Sequence, residues 1–134
     1  MKNRYLVFRL SPGEDIYQGI IKNCVENRVK AASVVSAVGS IKELHLRKAD
    51  GCSEYYEKNY FEVTSLSGTI SEDGPHIHIQ LSDVNLRSIG GHLLQGTIVH
   101  TTMEIVILNL EEEYNMKRSF DEATGYDELE VIKK

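Results

Sequence analysis

Cysteine and proline are scarce in this chain of 134 residues, which contains two of each, and tryptophan is absent. Cys24 and Cys52 lie far apart in the sequence and form no Cys-x-x-Cys motif. We therefore expect two free thiols in a reducing compartment, and a disulfide between them is the less favoured alternative. Free cysteine is among the most buried residue types, which places Cys24 in the predicted core.

We also expect neither a targeting segment nor a membrane-spanning one. The longest apolar runs, such as Ile105–Leu108, fall far short of the ~20 residues that a transmembrane helix needs. The first residues lead directly into a strand-like pattern, without the apolar stretch and cleavage site of a signal peptide. With 41% hydrophobic and 26% charged residues, the composition is that of a globular domain. We expect a cytoplasmic protein with no membrane partner.

Clusters of basic residues are missing as well. The 15 Lys and Arg residues stand against 20 Asp and Glu residues, a formal net charge of −5, and residues 111–134 carry most of the imbalance with eight acids and four bases. Surfaces that bind nucleic acid normally gather Lys and Arg, so this count weakens a prediction of direct DNA binding. A local basic patch created by folding or oligomerisation remains open. The basic residues that could form such a patch are Arg4, Arg9, Lys42, Arg47, Lys48 and Arg87.

The common catalytic and nucleotide-binding motifs are absent. The sequence has no Walker-type phosphate loop, no Gly-x-Gly-x-x-Gly, no Gly-x-Ser-x-Gly and no His-Glu-x-x-His. Enzymatic activity is therefore left undetermined, with the balance towards a protein that is not an enzyme.

Apolar periodicity predicts several strands and one strong helix. Ser11, Pro12 and Glu14 form a helix start with Ser11 as the N-cap. Ile16, Ile20 and Cys24 then give the helix a buried face, flanked by Tyr17, Ile21 and Val25, and the helix should end near Asn27. Strands are predicted over residues 5–10, 31–38, 60–70, 76–81, 89–94 and 97–110, with a break at Gly39-Ser40, alternation over 41–48 and a polar loop over 50–59.

This order of elements predicts an α+β fold, a single domain with a mainly antiparallel central β-sheet flanked by helices. We assign the domain to residues 1–112 and an acidic C-terminal segment to residues 113–134. The tail beyond Glu113 is the least determined part, because a helix, a segment packed on a neighbour and a loose chain all fit its sequence.

The segment Gly74–Leu81 carries the clearest chemical pattern. Side chains alternate along a strand, which puts the isoleucines on the apolar face and His76 and His78 together on the other. Two imidazoles at this spacing can approach one metal ion, and His92, after two glycines, fits a neighbouring strand. Three neutral histidines with an open fourth position are typical of a solvent-accessible zinc site. Zinc is therefore the predicted cofactor.

Each of these residues also has an alternative interpretation that involves no metal ion. A His-x-His pair on a half-exposed strand is common without metal. Ligand histidines recruit hydrogen-bonding partners, and the candidates for that role are Glu104, Thr102 and Gln80. Glu104, among apolar residues, is the nominated general base, and a hydrogen bond between strands or subunits is its equal alternative. A polar cavity, or equally a packing contact, is predicted at Ser36, Gly39 and Ser40. Surface or polar-network positions are predicted for His45 and His100.

Six blocks of the sequence occur in the order found in a known family. They are Arg9–Asp15, Ser36–Ile41, Phe61–Ile70, Gly74–Ile79, Gly90–Gly96 and Val99–Ile105. Together they resemble the plants and prokaryotes conserved (PPC) domain over about residues 5–108. The resemblance implies an α+β fold with a central antiparallel sheet, a homotrimer and, as in some prokaryotic members, a zinc site at His76, His78 and His92.

The resemblance implies function in less detail. Plant members join this domain to AT-hook segments and act as nuclear DNA-binding regulators, and single-domain prokaryotic members are usually labelled DNA-binding proteins. The AT-hook core Arg-Gly-Arg-Pro is absent here. Three hypotheses stand. They are a DNA-associated or regulatory module with a zinc site, a metal-dependent enzyme or small-ligand-binding protein acting at the three histidines, and a trimer with a structural metal. Association is also favoured by apolar residues that the chain is not expected to cover alone, such as Ile89, Leu93 and Leu94.

Overall fold

The computed structural model describes residues 3–134, and within that range the chain forms eight strands and one helix. The elements are β1 (Tyr5–Leu10), α1 (Ile16–Glu26), β2 (Ala32–Arg47), β3 (Glu54–Ser71), β4 (Gly74–Ser82), β5 (Ser88–Leu93), β6 (Ile98–Asn109), β7 (Tyr114–Asp121) and β8 (Tyr126–Lys133). All the strand pairs are antiparallel. The predicted antiparallel sheet is thus confirmed.

The main sheet has the strand order β1-β6-β2-β3-β4-β5 and also joins β2 to β5. Strand β2 is long enough to pair with β6 over most of its length and with β5 at its end, where Leu46 lies opposite Leu93. Strands β2, β3, β4 and β5 therefore close into a ring. Because the sheet folds on itself, it encloses much of its own apolar face, and the prediction of several flanking helices is wrong.

The core lies between α1 and the inner face of this sheet. Strand alternation decides which side chains enter it: Ile77 and Ile79 of β4 are buried, whereas His76 and His78 point outwards and are exposed. Cys24 is buried in the same core, as predicted, and remains a free thiol. Burial of an aliphatic side chain such as Ile77 stabilises the folded state by about 1.5–3 kcal/mol.

The helix begins later than the sequence suggests. Asp15, not Ser11, is the N-cap, and its Oδ1 accepts a hydrogen bond from Gln18 N at 2.9 Å. Its Oδ2 accepts another from Gly96 N at 2.6 Å, which ties the helix start to the loop before β6. The buried face of Ile16, Ile20 and Cys24 and the C-cap at Asn27 are as predicted, whereas Val25 is exposed.

Strands β2 and β3 are longer than predicted. Gly39 and Ser40 do not break β2, which continues through local register shifts, and residues 54–59 belong to β3 and not to a loop. The polar N-terminal half of β3 pairs with β2 through contacts such as Glu43 with Lys58 and Arg47 with Glu54. These pairs are partly exposed, so polar residues are tolerated in a strand that apolar periodicity does not reveal.

The acidic tail forms a hairpin of β7 and β8, a separate two-stranded sheet. The boundary predicted after residue 112 falls in the turn between β6 and β7. Arg118 N donates to Asp73 Oδ2 at 2.7 Å and Glu72 N donates to Met116 O at 3.1 Å, so the hairpin lies against the turn between β3 and β4. No helix within residues 3–134 is long enough and apolar enough to cross a membrane.

Candidate metal centre

Three histidines converge on the outer face of the ring of strands. His76 and His78 come from β4, and His92 on β5 lies directly opposite His78. The ring centroids are 5.1 Å apart for His76 with His78, 5.1 Å for His76 with His92 and 5.7 Å for His78 with His92. One nitrogen from each residue lies within 4.8 Å of the others. We call these three residues the histidine cluster, and the sequence had predicted all of them.

Glycines bring the neighbouring strands close behind the cluster. Gly90 lies opposite Gln80, and a Cβ atom at Gly90 would lie 2.6 Å from Ile79 O and would also overlap Gln80 Oε1. Gly68 on β3 leaves room for the backbone of His76 in the same way. These positions need glycine because a methyl group would push the histidine-bearing strands apart.

Burial, together with the nearby charges, favours neutral imidazoles in the cluster. Burial, with Arg47 and the other two histidines adding to it, lowers the pKa of His92 to about 4. Burial also lowers the pKa of His76, assisted by Arg118, His78 and Arg47 and opposed by Glu128. A neutral imidazole is the form that binds metal. At neutral pH both residues are therefore in the form that could bind a metal ion.

Two buried nitrogens at this site have no hydrogen-bond partner within the described chain, His92 Nδ1 and Arg47 Nε. Buried polar groups are nearly always paired. An unpaired imidazole nitrogen beside two further imidazoles fits a metal ion as the missing partner. The donor set thus suits a divalent transition metal, for which imidazole is a common ligand.

Two clefts open on either side of the cluster. The first, which we call the basic cleft, has a volume of about 520 Å³ and is lined by Arg47, Lys48, Ser65, Ser67 and Gln80 together with His78 and His92. The second, the hairpin cleft, is lined by His76, His92 and Arg47 and by Arg118, Tyr126, Asp127 and Glu128 of the β7–β8 hairpin. The three histidines therefore line two clefts, and the C-terminal hairpin forms part of the wall of the second.

The other nominated residues divide between this site and a distant one. Gln80 lines the basic cleft, and its Nε2 donates to Ser88 Oγ at 2.9 Å. Glu104, although it lies among apolar residues in the sequence, is exposed, because its side chain points to the outer face of β6. A third cleft, the threonine cleft, is lined by Glu104, Thr102 and Thr101 with Gly39, Ser40, Tyr60 and His100. Ser36 is exposed and does not line it.

The two remaining histidines take part in other networks, as predicted. His45 Nδ1 is 2.6 Å from Gln95 O, and its Nε2 is 3.6 Å from Glu54 Oε1. His100 packs against Tyr60 with ring centroids 4.6 Å apart. Neither belongs to the cluster of metal-ligating donors found among the described residues.

Sequence reasoning missed the charged neighbours of the histidine cluster. Arg47 ends β2 in register with His92, and its place in an alternating stretch was visible, although its pairing with β5 was not. Arg118 and Glu128 reach the site only because the hairpin folds back onto the β3–β4 turn. No local pattern in the acidic tail signals that contact.

Comparison with known proteins supplies relatives for the whole chain. Residues 1–111 match the family model described as the Plants and Prokaryotes Conserved (PCC) domain. The chain is 38% identical over 130 residues to the bifunctional protein GlmU of Synechococcus sp. strain JA-3-3Ab and 37% identical over 123 residues to that of strain JA-2-3B'a(2-13). These matches cover 97% and 92% of this chain but 21% and 19% of the relatives. The chain thus spans about a fifth of the length of these curated relatives.

Solved structures share the fold over nearly the full length. A hypothetical protein from Salmonella cholerae-suis (Salmonella enterica) is 32% identical with a TM-score of 0.93, covering 98% of this chain and 94% of that one. A candidate DNA-binding protein from Bacteroides thetaiotaomicron is 21% identical, with a TM-score of 0.84 and coverages of 96% and 92%. A metal-containing protein from Archaeoglobus fulgidus is 24% identical, with a TM-score of 0.72 and coverages of 96% and 94%. At these two lower identities the likeness establishes the fold.

Proposed function

The chain belongs to the Plants and Prokaryotes Conserved (PCC) domain family, and on that premise we propose that it is a metal-dependent ligand-binding module. His76, His78 and His92 hold one divalent ion, and a further coordination position faces the basic cleft. The observation that carries this proposal is the convergence of three imidazole nitrogens within 4.8 Å of one another on one face of the ring. No step of a reaction is implied by this arrangement.

Zinc is the ion that we propose. Nitrogens bound at 2.0–2.1 Å to a tetrahedral ion lie about 3.3 Å apart, so small side-chain rotations bring the three donors into place. Imidazole also suits copper, iron and nickel, but three nitrogens without a thiolate and with an open position are typical of accessible zinc sites. A metal-containing protein from Archaeoglobus fulgidus with the same fold supports a metal in this fold, although it is only 24% identical.

Metal analysis tests the proposal. Protein purified without a polyhistidine tag or chelator should carry about one zinc ion per chain, because neutral imidazoles are preformed at the site. His78→Ala should lose the ion and keep its circular dichroism spectrum, since the buried side chains of β4 lie on the opposite face. His100→Ala, which removes a histidine from the threonine cleft, is the matched control and should keep the ion. Equal zinc binding by wild type and His78→Ala would overturn the proposal.

An enzymatic role at the same site is the alternative within this proposal. A zinc-bound water has its pKa lowered towards ~7 and attacks electrophiles when a general base is near. The nominated base, Glu104, lines the threonine cleft and not the clefts at the histidine cluster. Asp127 and Glu128 of the hairpin are the carboxylates that line a cleft with the histidines. We therefore place binding before catalysis.

DNA binding is the second candidate function, because a protein of the same fold from Bacteroides thetaiotaomicron carries that description. The net charge of −5 and the exposed acids of the hairpin oppose it. Retention on duplex DNA at about 50 mM and 200 mM salt tests it, since phosphate contacts give a steep dependence on salt. Retention that falls steeply with salt would establish a phosphate-binding surface, and absence of retention at the lower salt would exclude this function.

We also propose that the module assembles as the homotrimer implied by the family resemblance. The expectation that the chain leaves Leu93 uncovered is wrong, because this side chain is buried within the chain. Other apolar side chains support association, since Val38, Val84 and Leu86 are exposed by 56%, 74% and 87%. Light scattering or sedimentation should give a trimer, and a stable monomer at roughly micromolar concentration would contradict it.

A further inference from the structure

The basic cleft is positively charged in a protein whose net charge is −5. Arg47 and Lys48 line it, and none of its lining residues is acidic. The hairpin cleft differs, because there Arg118 is accompanied by Asp127 and Glu128. Arg47 lines both clefts, but only in the basic cleft, where Lys48 adds to it, is the positive charge not accompanied by an acidic residue.

Arg47 lines this cleft beside the histidine cluster. It lies opposite His92 where β2 meets β5, and its Nε is buried without a hydrogen-bond partner. No carboxylate within residues 3–134 forms an ion pair with it. A guanidinium is always charged and has five N–H donors in a rigid fork that matches carboxylate and phosphate oxygens. Its donors are thus available to an acceptor from outside the chain.

A metal ion at the histidine cluster makes an anion more favourable still. Three neutral imidazoles leave the two positive charges of the ion uncompensated, and Arg47 adds a third close by. Like charges at such short range repel each other. An anion between the ion and the guanidinium removes this repulsion and also occupies the open coordination position.

Two hydroxyl groups line the same cleft. Ser67 on β3 pairs with His78 of β4, and Ser65 pairs with Gln80. Both serines are exposed in the cleft, and neither side-chain hydroxyl makes a hydrogen bond to another described residue. A volume of about 520 Å³ accommodates a small molecule. Hydroxyls and a guanidinium around one metal position form a donor set for oxygen ligands.

We propose that the ligand of the metal centre is an oxyanion, the carboxylate or phosphate group of a small molecule, bound between the metal ion and Arg47. The hydroxyls of Ser65 and Ser67 donate to its remaining oxygens. This inference rests on the proposed metal site and goes beyond it by naming the class of ligand and the residue that selects it.

Calorimetric titration of the zinc-loaded full chain tests this inference, with inorganic phosphate and acetate as separate probes. Wild type should bind at least one of them with saturation. Arg47→Gln should weaken that binding roughly tenfold or more, since a charge-assisted pair is lost. Arg87→Gln removes the same charge from the exposed β4–β5 connection and should stay within about twofold. The preference between phosphate and acetate assigns the source of the oxyanion.

The outcomes separate this inference from the proposed function. Arg47→Gln should keep its zinc, because it removes a positive charge and no ligand. Zinc bound with no saturable binding of either anion, or equal anion binding by wild type and Arg47→Gln, overturns the oxyanion inference and leaves the metal site standing. A wild-type chain that binds no zinc overturns the metal site first. In the Co²⁺-loaded protein, a change in the visible spectrum on adding the anion should show that it enters the coordination sphere.

Discussion

The histidine cluster and the threonine cleft both carry polar side chains on the outer face of the same sheet, but they differ in how these groups are satisfied. In the threonine cleft, Ser40 Oγ and Thr101 Oγ1 are 2.7 Å apart and Arg9 Nε donates to Thr102 Oγ1 at 2.9 Å. At the histidine cluster, His92 Nδ1 and Arg47 Nε are buried and unpaired within the described residues.

This difference supports the proposal that the histidine cluster, and not the threonine cleft, binds a ligand. Polar groups that already pair with one another hold strands together, and an incoming ligand must first break those bonds. Groups that are held in place without partners gain hydrogen bonds or coordination when a ligand arrives. The sequence nominated residues in both regions, and only the presence or absence of hydrogen-bond partners for their polar groups distinguishes the two.

Removing a ligand histidine is expected to have the largest effect. His92→Asn should weaken zinc binding by more than roughly a hundredfold, because one of three protein ligands is lost. Glu104→Gln, its counterpart in the threonine cleft, should leave zinc affinity unchanged. Competition with a zinc chelator of known affinity measures both. A loss of affinity in Glu104→Gln would show that the two regions are coupled after all.

A substitution in the threonine cleft should instead reduce the stability of the fold. A Cβ atom at Gly39 would overlap the backbone carbonyl of Thr102, and backbone atoms of neighbouring strands cannot move apart without loss of pairing. Gly39→Ala should therefore lower the free energy of unfolding by about 1–3 kcal/mol. Gly125→Ala in the β7–β8 turn meets no atom within 4 Å and suffers only from its φ of +76°, so its loss should be smaller. Urea denaturation compares them.

The pH dependence of the metal-free protein should come from the histidine cluster. The pKa of His92 is about 4 in the folded chain and ~6.5 in the unfolded chain. Between these values the unfolded state binds more protons, so the stability that His92 contributes is complete above pH ~6.5 and is lost as the pH falls towards 4. Thermal unfolding in this range should show a weaker pH dependence for His92→Asn than for wild type. An unchanged slope would contradict the prediction.

The smallest expected effect compares single hydroxyl groups in the two regions. Thr102→Val removes the acceptor of Arg9 Nε and should lower the free energy of unfolding by about 0.5–1.5 kcal/mol. Ser67→Ala in the basic cleft removes a hydroxyl that bonds to no other described residue, so stability should change by less than about 0.5 kcal/mol. Equal losses would show that the basic cleft is also held together by its own polar groups.

Much of the fold and half of the candidate site were predictable from local sequence. The helix face of Ile16, Ile20 and Cys24 and the outward direction of His76 and His78 follow from side-chain periods of 3.6 and 2 residues. Neighbouring residues fix these periods whatever the rest of the chain does. Errors fell where exposure hides the period, as in residues 54–59 of β3. Another fell at the helix start, where Ser11 was predicted as the N-cap and Asp15 takes that place.

The sequence by itself determined the chemistry of the ligands and the face on which two of them lie, because that face depends only on strand alternation. The tertiary structure decided which strands meet: His92 opposite His78, Arg47 at the closure of β2 on β5, and the hairpin against the β3–β4 turn. These contacts join residues distant in sequence, and their register depends on the total burial and pairing of whole strands. No local pattern contains that information, so the charge and accessibility of the candidate metal centre become visible only in the folded chain.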